Sequence, residues 1–198
     1  MSRGWMLIAA LALSFACGSQ PPDESNYVEA IGSARGAKDA AFRMTGSPIP
    51  AEVQAKFLPL AYFPIDPLYA VPAAFREDPP EARQRVEIQT STHQVRQMER
   101  LGTLAFTLQG QALRLSAYRE VGESADRLFV PFTDLTTGKE TYQAGRFLDI
   151  ARSATGIYVV DFNTAYNPYC YYNPTYDCPY PPKENRLSVA IRAGERIK

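Results

Sequence analysis

Residues 104–115 read LAFTLQGQALRL, and this stretch decides the fold because it describes two short strands joined by a tight turn. Leu104, Phe106 and Leu108 alternate with small or polar residues before the turn, and Leu113 and Leu115 alternate after it. A period of two places apolar side chains on one face of a strand. Glycine at 110 supplies the positive φ that a hairpin turn requires. The stretch therefore predicts an antiparallel β-hairpin.

Further strand signals lie on both sides of this hairpin, with no helical periodicity between them. They predict strands over residues 69–75, 85–90, 128–132, 146–150, 157–162 and 187–191. Many short strands in series favour an antiparallel sheet that is closed into a barrel-like form or folded as a sandwich. We therefore predict a mainly β (α+β) fold, with an N-terminal helix and a long irregular loop rich in Tyr and Pro.

The segment before the strands has a helical pattern. Residues 27–44 space the apolar Tyr27, Ile31, Ala34 and Ala41 three to seven positions apart, which suits one face of a helix. A short second helix is predicted over 51–57, with Pro50 near its first turn. No internal repeat is visible and no domain boundary stands out after residue 26, so residues 27–198 are predicted to form a single globular domain.

Composition and charge exclude several classes of function. The 198 residues carry 21 Lys and Arg against 21 Asp and Glu, and this balance argues against nucleic-acid binding through a broad basic face. The one histidine, His93, has polar neighbours and is predicted to lie on the surface. Glycine-rich phosphate-binding motifs are absent from the sequence. We therefore predict no cofactor and no metal site, and the sequence leaves the oligomeric state open.

The N-terminus is typical of an export signal. Arg3 precedes the apolar run WMLIAALALSFA at 5–16, which is too short to span a membrane and suits a cleavable signal peptide. The sequence LSFAC resembles a bacterial lipobox, in which Cys17 is acylated and becomes the mature N-terminus. Residues 17–26 are polar and predict a flexible tether. The expected location is the bacterial cell envelope, lipid-anchored and in the outer membrane of a Gram-negative host; the alternative is plain secretion or a periplasmic location.

The other two cysteines, Cys170 and Cys178, lie eight residues apart. An exported protein meets an oxidising compartment, so we predict a disulfide between them. Two free thiols are the main alternative. A metal site is a third reading, although the spacing is not that of a zinc motif and no histidine lies nearby.

A first candidate site lies within FTDLTTGKETYQAGRFLDI at 132–150. Lys139, Tyr142 and Arg146 could converge on a small anionic ligand, because a guanidinium fork fits carboxylate and phosphate groups. The alternative is a structural hairpin loop, in which Arg146 pairs with a carboxylate of the protein.

A second candidate is residues 166–182, the Tyr/Pro segment, which contain six Tyr and five Pro among seventeen residues. Proline fixes φ and aromatic rings pack on it, so the segment can be rigid without regular secondary structure. It is either a structural lid or the aromatic wall of a preformed pocket, in which phenol and amide groups such as Tyr166 and Asn167 contact the ligand.

A third candidate is a polar cluster. Glu184 and Arg186 are alternate residues and would share one face of a strand, as would Asp161 and Asn163. Together with Asn185 they are predicted either to bind a ligand or to form a buried structural network, because buried charge requires partners.

Several segments resemble one known family. FTDLTTGKETYQAGRFLD, DFNTAYNPYC and CPYPPKENRLSVAIRAGE, with AKDAAFR, SPI and FLPLAYFPIDPLYAV upstream, are similar to the bacterial and archaeal proteins catalogued as domain of unknown function 1684. The resemblance covers roughly residues 30–195 and implies no established activity. It does imply that these positions belong to the family pattern: Thr141, Tyr142, Gly145, Arg146, Asp161, Asn163, Tyr166, Asn167, Pro168, Cys170, Cys178, Pro179, Glu184, Asn185 and Arg186.

Two functions from different classes remain open. The first is a membrane-tethered small-ligand-binding or structural module with a rigid aromatic loop. The second is an enzyme, a hydrolase or transferase, that uses Glu184 or Asp161 as a general base, Arg146 for an anionic group and a cysteine thiolate as nucleophile.

Overall fold

The structure is a computed structural model that describes residues 24–124, 126–152 and 154–198. The predicted signal peptide (1–16), the predicted lipidation site Cys17 and most of the predicted tether lie outside the described residues. Two helices precede the sheet, α1 (Glu24–Ala41) and α2 (Gln54–Phe57). The seven strands are β1 (Ala70–Glu77), β2 (Arg85–Gln89), β3 (Val95–Leu108), β4 (Gln111–Glu120), β5 (Arg127–Phe132), β6 (Arg146–Ala151) and β7 (Ile157–Asp161).

The strands form one antiparallel sheet in the order β6-β5-β4-β3-β1-β7, and β2 pairs with β3 beside this path. The two end strands, β6 and β7, lie against each other, so the sheet is a nearly closed barrel. This confirms the predicted mainly β, barrel-like fold. Strand closure leaves few unpaired edges, which an open sheet would have to protect.

The hairpin predicted from residues 104–115 is formed by β3 and β4, which pair from Leu108↔Gln111 to Met98↔Glu120. Gly110 has φ +74°, as the turn prediction required. Gly102 marks the place where β3 changes its neighbour from β2 to β1. A Cβ at this glycine would lie 2.3 Å from the carbonyl oxygen of Arg76, so only glycine allows β1 to approach so closely.

The interior of the barrel is filled by the alternate residues that the sequence pattern placed on one face. Leu104, Leu115, Leu128, Leu148 and Val160 are all buried at 1% exposure or less. Burial of a large aliphatic side chain stabilises the fold by about 1.5–3 kcal/mol relative to leaving it exposed. The hydrophobic interior therefore supplies the main driving force for the fold.

The strand predicted over 187–191 is wrong, although its alternation is real. Leu187, Val189 and Ile191 point into the core, at 3% exposure or less, but the segment forms no ladder with a neighbouring strand. The carbonyl of Ile191 accepts a hydrogen bond from the side chain of Arg146 instead, as do those of Ala193 and Glu195. The segment also forms backbone hydrogen bonds with residues 133–135, from the Leu187 amide to Thr133 and from the Leu135 amide to Val189, but these are too few to make a regular strand.

Helix α1 begins at Glu24, three residues before the predicted boundary, and its predicted apolar face is partly wrong. Ala34 and Ala41 are exposed, whereas Arg35 and Lys38 face the domain. The helix is therefore held largely by polar contacts. The short second helix is confirmed as a 3-10 turn at Ala51–Val53 followed by α2. None of the helices in the described ranges is long and apolar enough to span a membrane.

Candidate functional site

The described residues form a groove of about 760 Å³ on the outer face of the sheet. It opens where β4 and β5 diverge, because Tyr118↔Phe129 is the one residue pair in register between these strands. We call this concavity the groove. Its floor is the outer face of β3 to β6 and one wall is the Tyr/Pro segment.

Aromatic side chains cover the floor of the groove. Phe129 and Phe147 point outward, whereas their neighbours Leu128 and Leu148 belong to the barrel interior. The rings of Phe129 and Phe147 meet edge to face with centroids 4.9 Å apart. Strands β5 and β6 are thus apolar on both faces, and an apolar outer face on a strand indicates a surface that is covered or used.

The Tyr/Pro segment is fixed to the edge of β6. Tyr166 and Phe147 exchange two backbone hydrogen bonds of 3.0 and 2.9 Å, and their rings lie 5.9 Å apart. The hydroxyl of Tyr166 donates to the carboxylate of Asp149 at 2.8 Å. Burial, together with the charge of Asp149, raises the pKa of Tyr166. Further along the segment the rings of Tyr169 and Tyr176 pack 5.3 Å apart, so the wall is preformed.

Charged side chains surround this aromatic surface. Arg96 pairs with Asp177 at 3.1 Å and with Glu120 at 3.5 Å. Lys38 and Arg119 also line the groove, but they pair with Glu195 and Glu99, which do not. Most of the positive charge at the rim is therefore already compensated.

The predicted disulfide between Cys170 and Cys178 is wrong, because both cysteines are free. The eight-residue spacing does bring the two sulfurs together. The Cys178 sulfur, however, accepts a hydrogen bond from the Cys170 amide at 3.2 Å, and the two thiols are hydrogen-bonded rather than covalently joined. Cys178 lines the groove, while Cys170 lies behind it against Tyr142.

The cysteines and Tyr142 influence each other's protonation. Hydrogen bonds from Cys178 and also from Ser91 and Tyr142 lower the pKa of Cys170 to about 7. The pKa of Cys178 is raised, because its proton is held by Cys170. Burial and the Cys170 charge raise the pKa of Tyr142 to about 12. Near neutral pH Cys170 is therefore about half ionised, and its thiolate is stabilised by the neighbouring donors.

Arg146 lies inside the barrel with an exposure of 1%. Its guanidinium donates to the Asp134 carboxylate at 3.0 Å and to three backbone carbonyls of residues 191–195. Burial lowers its pKa, while Asp134 opposes this effect. Lys139, expected beside it, is exposed. The geometry of Arg146 matches the structural alternative, in which the side chain pairs with a carboxylate of the protein.

The residues predicted as a third polar cluster divide between two places. Asn185 is fully buried between β4 and β5, where its amide bonds the backbone of Ser116 and Pro131. Glu184 and Arg186 are exposed, and Glu184 accepts a hydrogen bond from Tyr118 at 2.7 Å. This hydrogen bond and, above all, burial raise the pKa of Tyr118.

Asp161 and Asn163 form the docking site of helix α1. The hydroxyl of Tyr27 donates to Asp161 at 2.8 Å and accepts from the Asn163 amide at 2.9 Å. The Asn163 side chain also accepts a hydrogen bond from the Asp66 amide and donates one to the Asp66 carbonyl. These side chains anchor the helix.

The nine predicted ligand-binding residues therefore lie in several different places. Among the residues that the structure describes as lining the groove, Tyr166 is the one that belongs to this set. The full set is Tyr142, Arg146, Asp161, Asn163, Tyr166, Asn167, Glu184, Asn185 and Arg186.

Sequence reasoning missed the floor residues of the groove, such as Phe129 and Phe147. Their signal is the apolar pairs Leu128-Phe129 and Phe147-Leu148, which are unusual in a strand with one solvated face. It also missed Glu195, which is 1% exposed and accepts hydrogen bonds from the Asn167 amide at 2.8 Å and the Tyr172 hydroxyl at 2.6 Å.

Comparison with known families decides the affiliation of the chain. The family described as "Protein of unknown function (DUF1684)" matches residues 55–196, a range that contains every strand and the Tyr/Pro segment. The chain belongs to this family. No match was found among curated proteins.

A solved structure of similar sequence shows the same fold. It is the solution NMR structure of an uncharacterized protein from Haloarcula marismortui, which is 36% identical to this chain. The two superpose with a TM-score of 0.69 over 88% of this chain and 96% of the archaeal one. The same fold thus occurs in a second protein, which is itself described as uncharacterized.

Proposed function

We propose that this DUF1684 protein is a membrane-tethered module of the bacterial cell envelope that binds a small ligand in the groove. The observation that carries the proposal is the aromatic lining of a preformed concavity. Six aromatic rings line a volume of about 760 Å³, which lies within the ~300–1,000 Å³ range of small-molecule sites. Because the rings already pack on one another, little entropy is lost when a ligand binds between them.

Ligand-observed NMR with a fragment mixture tests the binding proposal. The mixture contains neutral aromatics, organic cations and organic anions, and it is applied to the purified protein. Tyr169 and Tyr180 belong to the same segment and are exposed to 44% and 40%, but only Tyr169 lines the groove. Tyr169→Ala is expected to weaken binding about fivefold, because an aromatic contact contributes about 1 kcal/mol. Tyr180→Ala should bind normally; absence of binding by every fragment, or equal losses in both variants, contradicts the proposal.

The proposed tether rests on Cys17 and the export signal before it. Two or more acyl chains give stable anchoring, because each buried methylene contributes about 0.8 kcal/mol. Cys17→Ser is expected to move the protein from the membrane fraction to the soluble fraction. Cys170→Ser is the matched control and should stay with the membrane. A Cys17→Ser protein that still sediments with membranes would rule out lipid anchoring at this residue.

One observation favours the enzyme as a second candidate function. The Cys170 thiol has a pKa of about 7 and lies directly behind a groove residue, Cys178. A thiolate at neutral pH is a nucleophile that can attack an ester carbonyl and expel the alkoxide. With p-nitrophenyl acetate, a burst of p-nitrophenolate that matches the enzyme concentration and disappears in Cys170→Ala supports this function. No burst in the unmodified protein removes it.

A further inference from the structure

We infer that the ligand of the groove is an organic cation, an ammonium ion with an apolar body. This inference rests on the proposed binding function and adds the chemical class of the ligand. Two features support it. Several carboxylates at the rim have no cationic partner in the protein, and aromatic rings that a cation could contact lie beside them.

The charge at the rim is the first argument. Five carboxylates line the groove against four cationic side chains, and two of the four cations, Lys38 and Arg119, are paired with carboxylates that lie outside it. A third cation, Arg96, is shared by two of the five carboxylates, and the fourth, Arg127, lines the groove together with the three carboxylates that remain. The groove as a whole is therefore acidic and complementary to a positive ligand.

The unpaired carboxylates are the second argument. In the part of the chain that the structure describes, no cationic nitrogen lies within 4.0 Å of the carboxylate of Glu123, Asp126 or Asp149. All three line the groove. Asp149 is the one that touches the aromatic floor, because it accepts a hydrogen bond from the hydroxyl of Tyr166, whose ring packs against Phe147.

The aromatic lining is the third argument. The hydroxyl of Tyr166 already donates to the Asp149 carboxylate, so its ring rather than its polar end is left for the ligand, together with the 44%-exposed ring of Tyr169. The ring of Tyr118 is fully buried and supports the floor from below. A cation over an aromatic face gains about 0.5–2 kcal/mol, and quaternary ammonium ions are commonly bound by aromatic cages. An anion would meet the electron-rich faces of the same rings and the carboxylates at the rim.

The test compares choline with 3,3-dimethylbutan-1-ol, which has the same shape but no charge. Both are titrated into protein labelled with ¹³C at the methionine methyl groups. Met98 lines the groove, while Met44 is 68% exposed outside it and serves as an internal reference. We expect choline to shift the Met98 resonance, to leave Met44 in place, and to bind at least tenfold more tightly than the alcohol.

Matched variants assign the charge effect to the groove. Asp149→Asn keeps a hydrogen-bond acceptor for Tyr166 while it removes the charge, and Glu123→Gln removes a partner-free charge at the rim. Each is expected to weaken choline binding about three- to fivefold, the effect of one exposed charge pair. Glu87→Gln, on the exposed face of β2 outside the groove, should leave the affinity unchanged.

The outcomes separate this inference from the proposed function. If the alcohol binds as tightly as choline, or if benzoate shifts Met98 and choline does not, the cation inference is wrong while the binding function stands; the second result would support the anionic ligand predicted from the sequence. If no probe or fragment shifts Met98, both fail. Raising the salt concentration should weaken choline binding and leave alcohol binding unaltered.

Discussion

At the scale of single residues, Arg146 shows how one side chain organises a terminal segment. Its guanidinium satisfies three carbonyls of residues 191–195 and the carboxylate of Asp134. Asp134 in turn accepts hydrogen bonds from Thr136 and from the Ile191 amide. Because every one of these groups is buried, each depends on the others for its partners.

We therefore expect Arg146→Met to destabilise the protein by about 3–5 kcal/mol, since it leaves the Asp134 carboxylate buried without a countercharge. Urea denaturation followed by circular dichroism measures the change. Arg192→Gln is the control, because Arg192 pairs with Glu140 at an exposed position and should have little effect. An Arg146→Met protein as stable as the parent would show that the fold tolerates a buried Asp134 carboxylate without a countercharge.

A second residue-scale prediction concerns Cys170. Because neighbouring donors lower its pKa to about 7, the thiolate fraction rises as the pH increases from about 6 to 8. The rate of alkylation by iodoacetamide at this residue should be half-maximal near pH 7, as followed by peptide mass spectrometry. Cys178→Ala removes the first donor and should move the midpoint toward the ordinary thiol value of ~8.5. A midpoint near 8.5 in the unmodified protein would contradict the stabilised thiolate.

At the scale of elements, the gap between β4 and β5 is closed by Asn185. Its side-chain oxygen accepts from the Ser116 amide at 2.7 Å, and its nitrogen donates to the carbonyls of Ser116 and Pro131. One amide side chain thus makes the hydrogen bonds that a neighbouring strand would otherwise make. The groove lies on the other side of the Tyr118–Phe129 pair, toward Glu120 and Arg127, so Asn185 holds the two strands together beside the groove rather than across it.

Asn185→Leu is expected to cost about 3 kcal/mol of stability, because it leaves three buried backbone groups without partners. Asn173→Ala is the control, since Asn173 makes only local hydrogen bonds to Thr175 and its loss should cost about 1 kcal/mol or less. Thermal unfolding of the two variants gives the comparison. Equal changes in midpoint would show that Asn185 does not hold the strands together.

Helix α1 provides the other element-scale prediction. One carboxylate oxygen of Glu195 accepts a hydrogen bond from the Lys38 ammonium of the helix. The other accepts hydrogen bonds from the Asn167 backbone amide and the Tyr172 hydroxyl of the Tyr/Pro segment. Glu195→Gln removes the charge and one acceptor, so the amides of α1 should exchange at least tenfold faster in hydrogen-exchange mass spectrometry. Peptides from β3 and β4 should be unaffected. Unchanged exchange in α1 would mean that Tyr27 and Arg35 suffice to hold the helix.

These elements also show what a sequence can predict. The hairpin at 104–115 and the strands near 69–75, 85–90, 128–132, 146–150 and 157–162 were predictable, because alternation and turn glycines act locally; residues 95–103, the first part of β3, were not predicted as a strand. The segment 187–191 has the same alternation, but its hydrogen bonds go to distant partners: the Ile191 carbonyl bonds the Arg146 side chain and the Val189 carbonyl bonds the Leu135 amide. The polar face of α1 and the groove depend on such distant partners too, and for that reason only Tyr166 of the predicted ligand-binding set lines the groove.

At the scale of the whole molecule, two hydrophobic clusters must fold together. One is the barrel interior, and the other contains Phe42, Ile49, Leu60 and Tyr172 beneath the helices. Tyr172 is bonded to Glu195, whose backbone carbonyl bonds Arg146 in the barrel. The clusters are thus linked through buried polar groups.

We therefore expect one cooperative unfolding transition for the predicted domain 27–198. Far-UV circular dichroism reports mainly the sheet, and near-UV circular dichroism reports the tyrosines of the second cluster and of the groove. Their urea midpoints should coincide. A near-UV transition at lower urea than the far-UV one would show that the helices and the Tyr/Pro segment unfold separately.

The length of the β3–β4 hairpin has a practical consequence. Its open end, at Met98 and Glu120, belongs to the groove, whereas the turn at Gln109-Gly110 lies about ten residues further along the same strands. At ~3.3 Å per residue, this separation is roughly 30 Å. A fluorescent label at the turn would therefore not obstruct the groove. An affinity peptide inserted there could likewise hold the protein on a sensor surface and leave the groove free for its ligand.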